Sequence, residues 1–103
     1  MRQVPVDSYV FETLLPDLVF HDRSPSSWIV YLYLWYRTRG VGQKAVSVSY
    51  RALAEGTGLS KTGVQAAVRR LRRRALIECR QSRPTAVPVY AVLRPWLRFE
   101  RRG

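Results

Sequence analysis

Between positions 60 and 83 the chain collects side chains that can hold and read a polyanion. Lys61, Arg69, Arg70, Arg72, Arg73 and Arg74 are cationic, Arg80 and Arg83 follow, and Ser60, Thr62 and Gln65 add neutral hydrogen-bonding groups. Glutamine can pair bidentately with adenine and arginine with guanine, so Gln65 and Arg69 are the base-reading candidates. Ser60, Lys61 and Thr62 fall where a helix would begin, and the unpaired N–H groups and positive dipole end there suit a phosphate. Arg70, Arg72, Arg73 and Arg74 are expected to hold phosphates, adding affinity without sequence information. Ala66 offers only an apolar touch to a thymine methyl group, and Gly63 thins the surface and weakens the early helix. A solvated helix face is the plain alternative for so many arginines. Like charges at this spacing repel, however, and destabilise a helix unless a polyanion relieves them.

These side chains need a scaffold, and residues 49–71 supply one, as two short helices joined by a tight turn. Ser49 is suited to cap the first, whose buried face is Leu53 and Ala54. Gly58 can enter the left-handed region without a Cβ clash and so ends that helix, with Leu59 dropping into the core. Ser60 caps the second. Its Val64, Val68, Leu71 and Ala75 recur at helical spacing as one apolar stripe, opposite Thr62, Gln65, Ala66, Arg69 and Arg73.

The run LAEGTGLSKTGVQAAVRRL resembles the helix-turn-helix of winged-helix proteins, as in MarR-like and GntR-like regulators and the N-terminal domains of DnaD-like replication proteins. Ala54 in the first helix, Gly58 at the turn and Val64 early in the second carry the likeness. The resemblance implies a second helix lying in the major groove of DNA, with Lys61, Thr62, Gln65, Ala66 and Arg69 toward the bases. It also implies a β-hairpin wing reaching the backbone or minor groove. Arg80 and Arg83 flank the tip of that hairpin, where an arginine can enter a narrow minor groove. Surface arginines at a hairpin turn are also commonplace.

The remainder is expected to support this unit. Residues 8–15 fit two helical turns or a short strand, capped by Asp7 or Ser8 and stopped by Pro16. A helix over 25–39 is announced by Ser24 as N-cap and Pro25 at the first position, with Gly40 closing it. Trp28, Tyr31, Leu32 and Trp35 make its expected core side. Val30, Tyr33 and Leu34 leave the other face apolar too, to be covered by the N-terminal segment or by a second subunit. Residues 45–48 read as a brief strand, and 76–82 and 86–93 as a hairpin, with Pro88 best placed at an edge or bulge. Residues 94–103 are expected to form one short helix, Trp96 and Phe99 inward, and a basic tail. The expected fold is mainly α with a small β-wing, built on helices 25–39, 49–57 and 60–75 and a hairpin 76–93 in one domain, 1–103.

Composition narrows the function. Nearly half of the 103 residues are hydrophobic and 24% are charged, the balance of a globular chain. The net charge of +11 is unevenly spread. Residues 1–60 carry six Lys/Arg against five Asp/Glu, whereas residues 61–103 carry twelve against two. The excess begins with the second helix of the motif, as expected for a DNA-facing half rather than a merely solubilising charge. One cysteine, Cys79, excludes an internal disulfide, and no apolar run is long enough to span a bilayer, which points to a cytoplasmic, nucleoid-associated protein. His21 and Cys79 are single and fall in different segments, the carboxylates form no pair, and no Gly-rich phosphate loop is present, so neither metal, cofactor nor catalysis is expected. The expected partner is double-stranded DNA, bound by a homodimer engaged in transcription control or replication initiation, with a protein of either machinery as a further partner. The competing expectation is a protein-docking module that uses helix 25–39, with or without RNA binding.

Overall fold

A helix that is apolar on nearly every side must be covered on every side. The computed structural model describes residues 1–100, the last two by backbone alone, and in it the helix α1 (Pro25–Arg37) is the hub. Its deepest stripe is Ser27, Val30, Tyr31 and Leu34, with Trp35 beside it. Trp28 and Leu32, expected on the core side, are only half-buried. The shift has a cause in polar chemistry, because each buried indole N–H needs an acceptor. Trp28 Nε1 donates to the Val10 carbonyl at 2.9 Å and Trp35 Nε1 to the Pro5 carbonyl at 3.0 Å, so both rings lean toward the N-terminal segment.

That segment covers the Trp28 and Trp35 side of α1, not the face of Val30, Tyr33 and Leu34 for which it was expected, where Tyr33 instead packs beside Gly56. The segment is helical, which settles the choice between helix and strand, and Pro16 does not stop it. The chain winds in two wide π-helical turns, Val10–Leu14 and Asp17–His21. The Leu15 N–H reaches the Val10 carbonyl and the Asp22 N–H the Asp17 carbonyl. Pro16 stands at the junction with φ −64°, a value its ring favours, so the missing donor falls between the two wide turns. Val10, Leu14 and Leu18 are buried against the core, and Phe11 meets Trp28 edge-on with centroids 5.6 Å apart.

α1 stops at Arg37, two residues before the expected end. Ser24 holds the N-cap position, but its hydroxyl pairs with that of Ser27 and caps no N–H. At the other end Thr38 leaves the helical region and donates its hydroxyl to the Leu34 carbonyl at 2.7 Å. A 3-10 turn, Arg39–Val41, follows, and Gly42 with φ 72°, not Gly40, takes the left-handed position.

The chain then adds the two-residue strand β1 (Val46–Ser47), the helices α2 (Tyr50–Thr57) and α3 (Lys61–Arg73), the strands β2 (Ile77–Arg80) and β3 (Val89–Val92), and the short helix α4 (Leu97–Glu100). The strands form an antiparallel sheet in the order β1-β3-β2, with Ile77 opposite Val92, Cys79 opposite Tyr90 and Val46 opposite Tyr90. The whole is mainly helical with a small sheet. β3 is therefore central, contrary to the edge placement suggested by Pro88. The conflict vanishes because the strand begins one residue later, and the Pro88 carbonyl accepts from the Val48 N–H at 3.1 Å. Both strands are shorter than expected, leaving a connection over 81–88 rather than a tight turn. At its tip the Ala86 N–H bonds to the Arg83 carbonyl at 3.0 Å, with Pro84 setting the turn. Trp96 is buried as expected, whereas the Phe99 side chain and the basic tail at 101–103 lie outside the described residues.

α3 buries Val64, Ala67, Val68 and Leu71. Ala75, expected in that stripe, is exposed. The helix ends at Arg73 and Ala75 turns left-handed, with φ 56°. The Ala75 N–H bonds to the Arg72 carbonyl at 3.0 Å and the Leu76 N–H to the Leu71 carbonyl at 2.9 Å, the paired bonds that close a helix over a left-handed residue. Leu76 and Leu71 are both buried there, the apolar contact that accompanies this closure. An L-residue in this conformation is strained, so Ala75→Gly is expected to stabilise the protein by about 0.5–1 kcal/mol after the entropy of the unfolded glycine is subtracted. Denaturant midpoints of the two proteins measure it, and a lowered midpoint would show that the methyl group makes a contact worth more than the strain.

Candidate functional site

The placement of the candidate residues begins at two caps. Ser49 Oγ accepts from the Ala52 N–H and Ser60 Oγ from the Gly63 N–H, each at 3.0 Å, and Gly58 between the two helices has φ 78°. The Ser60 hydroxyl proton stays available to donate. With Val64, Val68 and Leu71 fixed inward, the helical period turns Thr62, Ala66, Arg69 and Arg73 to solvent, and all four are exposed, as are Lys61 and Arg72. Gln65 is partly buried on the flank of this face.

Arg70 and Arg74 face elsewhere. They lie one turn apart on the other flank of α3, against the N-terminal helix. Arg74 bonds to the Asp17 carboxylate, and both guanidiniums lie 3.6 Å from Asp22 Oδ2. Asp22 is 7% exposed, and His21 Nδ1 lies 3.0 Å from its other oxygen. The hydrogen bond from His21, opposed by partial burial and helped by the charges of Arg74 and Arg70, holds the Asp22 carboxyl below its ordinary value. These two arginines thus join α3 to the N-terminal helix, and the cations presented on the outer side of α3 are Lys61, Arg69, Arg72 and Arg73. Among the described residues none of those four is in an ion pair. The helical period alone does not give this split, because Arg72 and Lys61 stand about as far from the outward direction as Arg74 does, on the opposite flank; the carboxylates of Asp17 and Asp22 make the difference.

The hairpin contributes the other two candidates. Arg80 stands on the outer face of the sheet, 83% exposed and 3.7 Å from Glu78, and Arg83 is exposed at the first position of the turn in the connection. A shallow cleft runs from Lys61 and Arg51 to Gln81 and Pro84, so the start of α3 and the hairpin connection share one concave surface. Arg51 was not singled out by sequence reasoning, and it pairs with Glu55 at 3.2 Å on α2. A rigid helix with unpaired cations beside a projecting cationic hairpin can hold a polyanion by charge, and its neutral residues can touch what lies between the charges. No group of three or more metal-ligating side chains occurs among the described residues, and none of their helices is long and apolar enough to cross a membrane.

No family model, curated protein or solved structure matches the chain.

Proposed function

We propose that the protein is a winged helix-turn-helix domain that binds duplex DNA in transcription control or replication initiation, as a homodimer. α3 lies in the major groove, and the β2–β3 hairpin is the wing on the flanking backbone or minor groove. Gln65 and Arg69 meet base edges, while Lys61, Arg72, Arg73, Arg80 and Arg83 meet phosphates. The observation that carries this reading is the cationic side of α3: Lys61, Arg69, Arg72 and Arg73 are exposed on a capped helix and in no ion pair among the described residues, whereas Arg70 and Arg74 are drawn toward Asp17 and Asp22. A hairpin that follows this helix directly and presents two more arginines supports it.

Titrating a mixed-sequence duplex at about 50 and about 200 mM salt tests the proposal, because each phosphate neutralised releases condensed counterions. Affinity is expected to fall steeply between the two, and absence of binding at the lower concentration would overturn the reading. Selection of bound sequences from a random duplex pool then separates the modes: a palindromic consensus marks a symmetric dimer that reads sequence, and no consensus marks a holder of DNA. A second reading, docking of a protein partner, is favoured by one observation, the exposure of Phe20 (78%) and Phe11 (45%) on the N-terminal helix. Loss of the salt dependence with retained binding of a protein ligand would favour it.

A further inference from the structure

The first sixty residues are nearly neutral in sum, yet the fold does not spread their cations evenly. Arg2, Arg37, Arg39 and Lys44 gather around the C-terminal end of α1, and the first three each lie over an aromatic ring, those of Tyr36, Tyr33 and Trp35 respectively. Arg39 and Lys44 are exposed, and among the described residues neither takes part in an ion pair or a side-chain hydrogen bond. Their charge is therefore not consumed in capping α1, a role that Thr38 fills with its own hydroxyl. Arg39 Cζ lies 5.6 Å from the centre of the Trp35 ring, an attraction that uses none of the guanidinium N–H donors and leaves them for another acceptor.

Lys44 connects this cluster to the hairpin. It lines one concavity with Arg80, Val89 and Ala91 on the outer face of the sheet and the next with Arg39 and Gln43. Glu78 is the one carboxylate along the two concavities, and Arg80 lies beside it. A row of cations thus leads from the hairpin over the sheet to the end of α1. With a longest dimension of 43 Å, the protein exceeds one turn of DNA, about 34–36 Å.

We propose that the DNA-binding surface continues from Arg80 across the outer face of the sheet to Lys44 and Arg39, which hold phosphates beyond the turn of duplex met by α3. This extension rests on the DNA-binding reading above. Nucleic acid is the occupant that fits, because the row is cationic and continuous with the proposed wing.

The test compares duplexes of one turn and of about three turns, about 10 and about 30 base pairs, with the unaltered protein, Lys44→Gln, and Arg39→Gln with Lys44→Gln. On the long duplex the double variant is expected to lose about 10- to 60-fold in affinity at 0.1 M salt, with the salt slope falling by about 2, and on the short duplex to change little. Lys44→Gln alone, at a side chain that touches no ring, should remove about half of that slope. Unchanged affinity of the double variant for the long duplex, with Arg69→Ala still weakening it, would overturn the extension and leave the α3 interface standing. Equal loss on both lengths would place Arg39 and Lys44 inside the α3 footprint and overturn it too. No binding by the unaltered protein would remove both proposals together.

Discussion

Simultaneous Arg69→Ala, Arg72→Ala and Arg73→Ala substitution is expected to weaken binding of duplex DNA about 10²- to 10³-fold at 0.1 M salt. The magnitude follows from counterion release. Lys61, Arg72, Arg73, Arg80 and Arg83 give five exposed cations for phosphates, hence a salt slope of about −4.5; removing Arg72 and Arg73 leaves about −3, and removing Arg69 adds the loss of a base contact. The fold is not expected to suffer. All three side chains are exposed without carboxylate partners among the described residues, and Arg69 repels Arg72 and Arg73 across one helical turn. Truncation should therefore leave thermal stability unchanged or slightly raised. Unaltered affinity in a normally folded triple variant would refute the placement of α3 on DNA. The single substitutions divide the roles. Arg69→Ala should narrow the difference in affinity between the selected site and a random one, and Arg73→Ala should weaken both alike. If both act uniformly, α3 clamps phosphates and does not read.

What could be read in the sequence was set by the range of the interactions involved. Both serine caps and the left-handed Gly58 depend on bonds spanning three or four residues, and residues 49–71 adopt the expected helix, turn and helix. The outward set Thr62, Ala66, Arg69 and Arg73 follows from the helical period once Val64 and Leu71 are taken as buried. Long-range partners were not legible. The carboxylate that engages Arg74 lies 57 residues away on a helix whose continuation past Pro16 required π-helical turns, a geometry that periodicity at 3.6 residues does not reveal. The same limit hid the cations at the end of α1. Arg39 and Lys44 look dispersed in a nearly neutral stretch, and only the pairing of β1 with β3 brings Lys44 beside Arg80. Ala75 misled for a local reason. Its apolar side chain fits the stripe, but the closure of α3 requires a left-handed residue, and glycine, the usual signal, is absent.

Asp7→Ala is expected to cost about 2–3 kcal/mol of folding stability at pH 7, because one carboxylate oxygen closes the two ends of the chain together. Asp7 Oδ2 accepts from Arg94 Nε at 2.9 Å, from Arg94 Nη2 at 2.7 Å and from Trp96 Nε1 at 2.9 Å. The side chains of Asp7 and Arg94 are 28% and 22% exposed, so water screens the pair only in part and the lower end of the range applies if it relaxes. Removing the carboxylate leaves the indole N–H of buried Trp96 without an acceptor. It also loosens Tyr9, which stacks on Trp96 with centroids 4.6 Å apart at the start of the N-terminal helix. Acid should reproduce the effect. Burial pushes the Asp7 carboxyl up, but the hydrogen bonds from Arg94 and Trp96 and the charges of Arg94 and Arg39 outweigh it and hold the group below 3.8. A carboxylate depressed in the folded state adds stability that is complete above its unfolded value and is lost as pH falls through its folded one. The stability gap between the unaltered protein and Asp7→Asn, measured by denaturant midpoints, should therefore be constant from about pH 7 to about pH 5 and close below about pH 4. A gap that persists unchanged into acid would mean that shape rather than charge holds the ends.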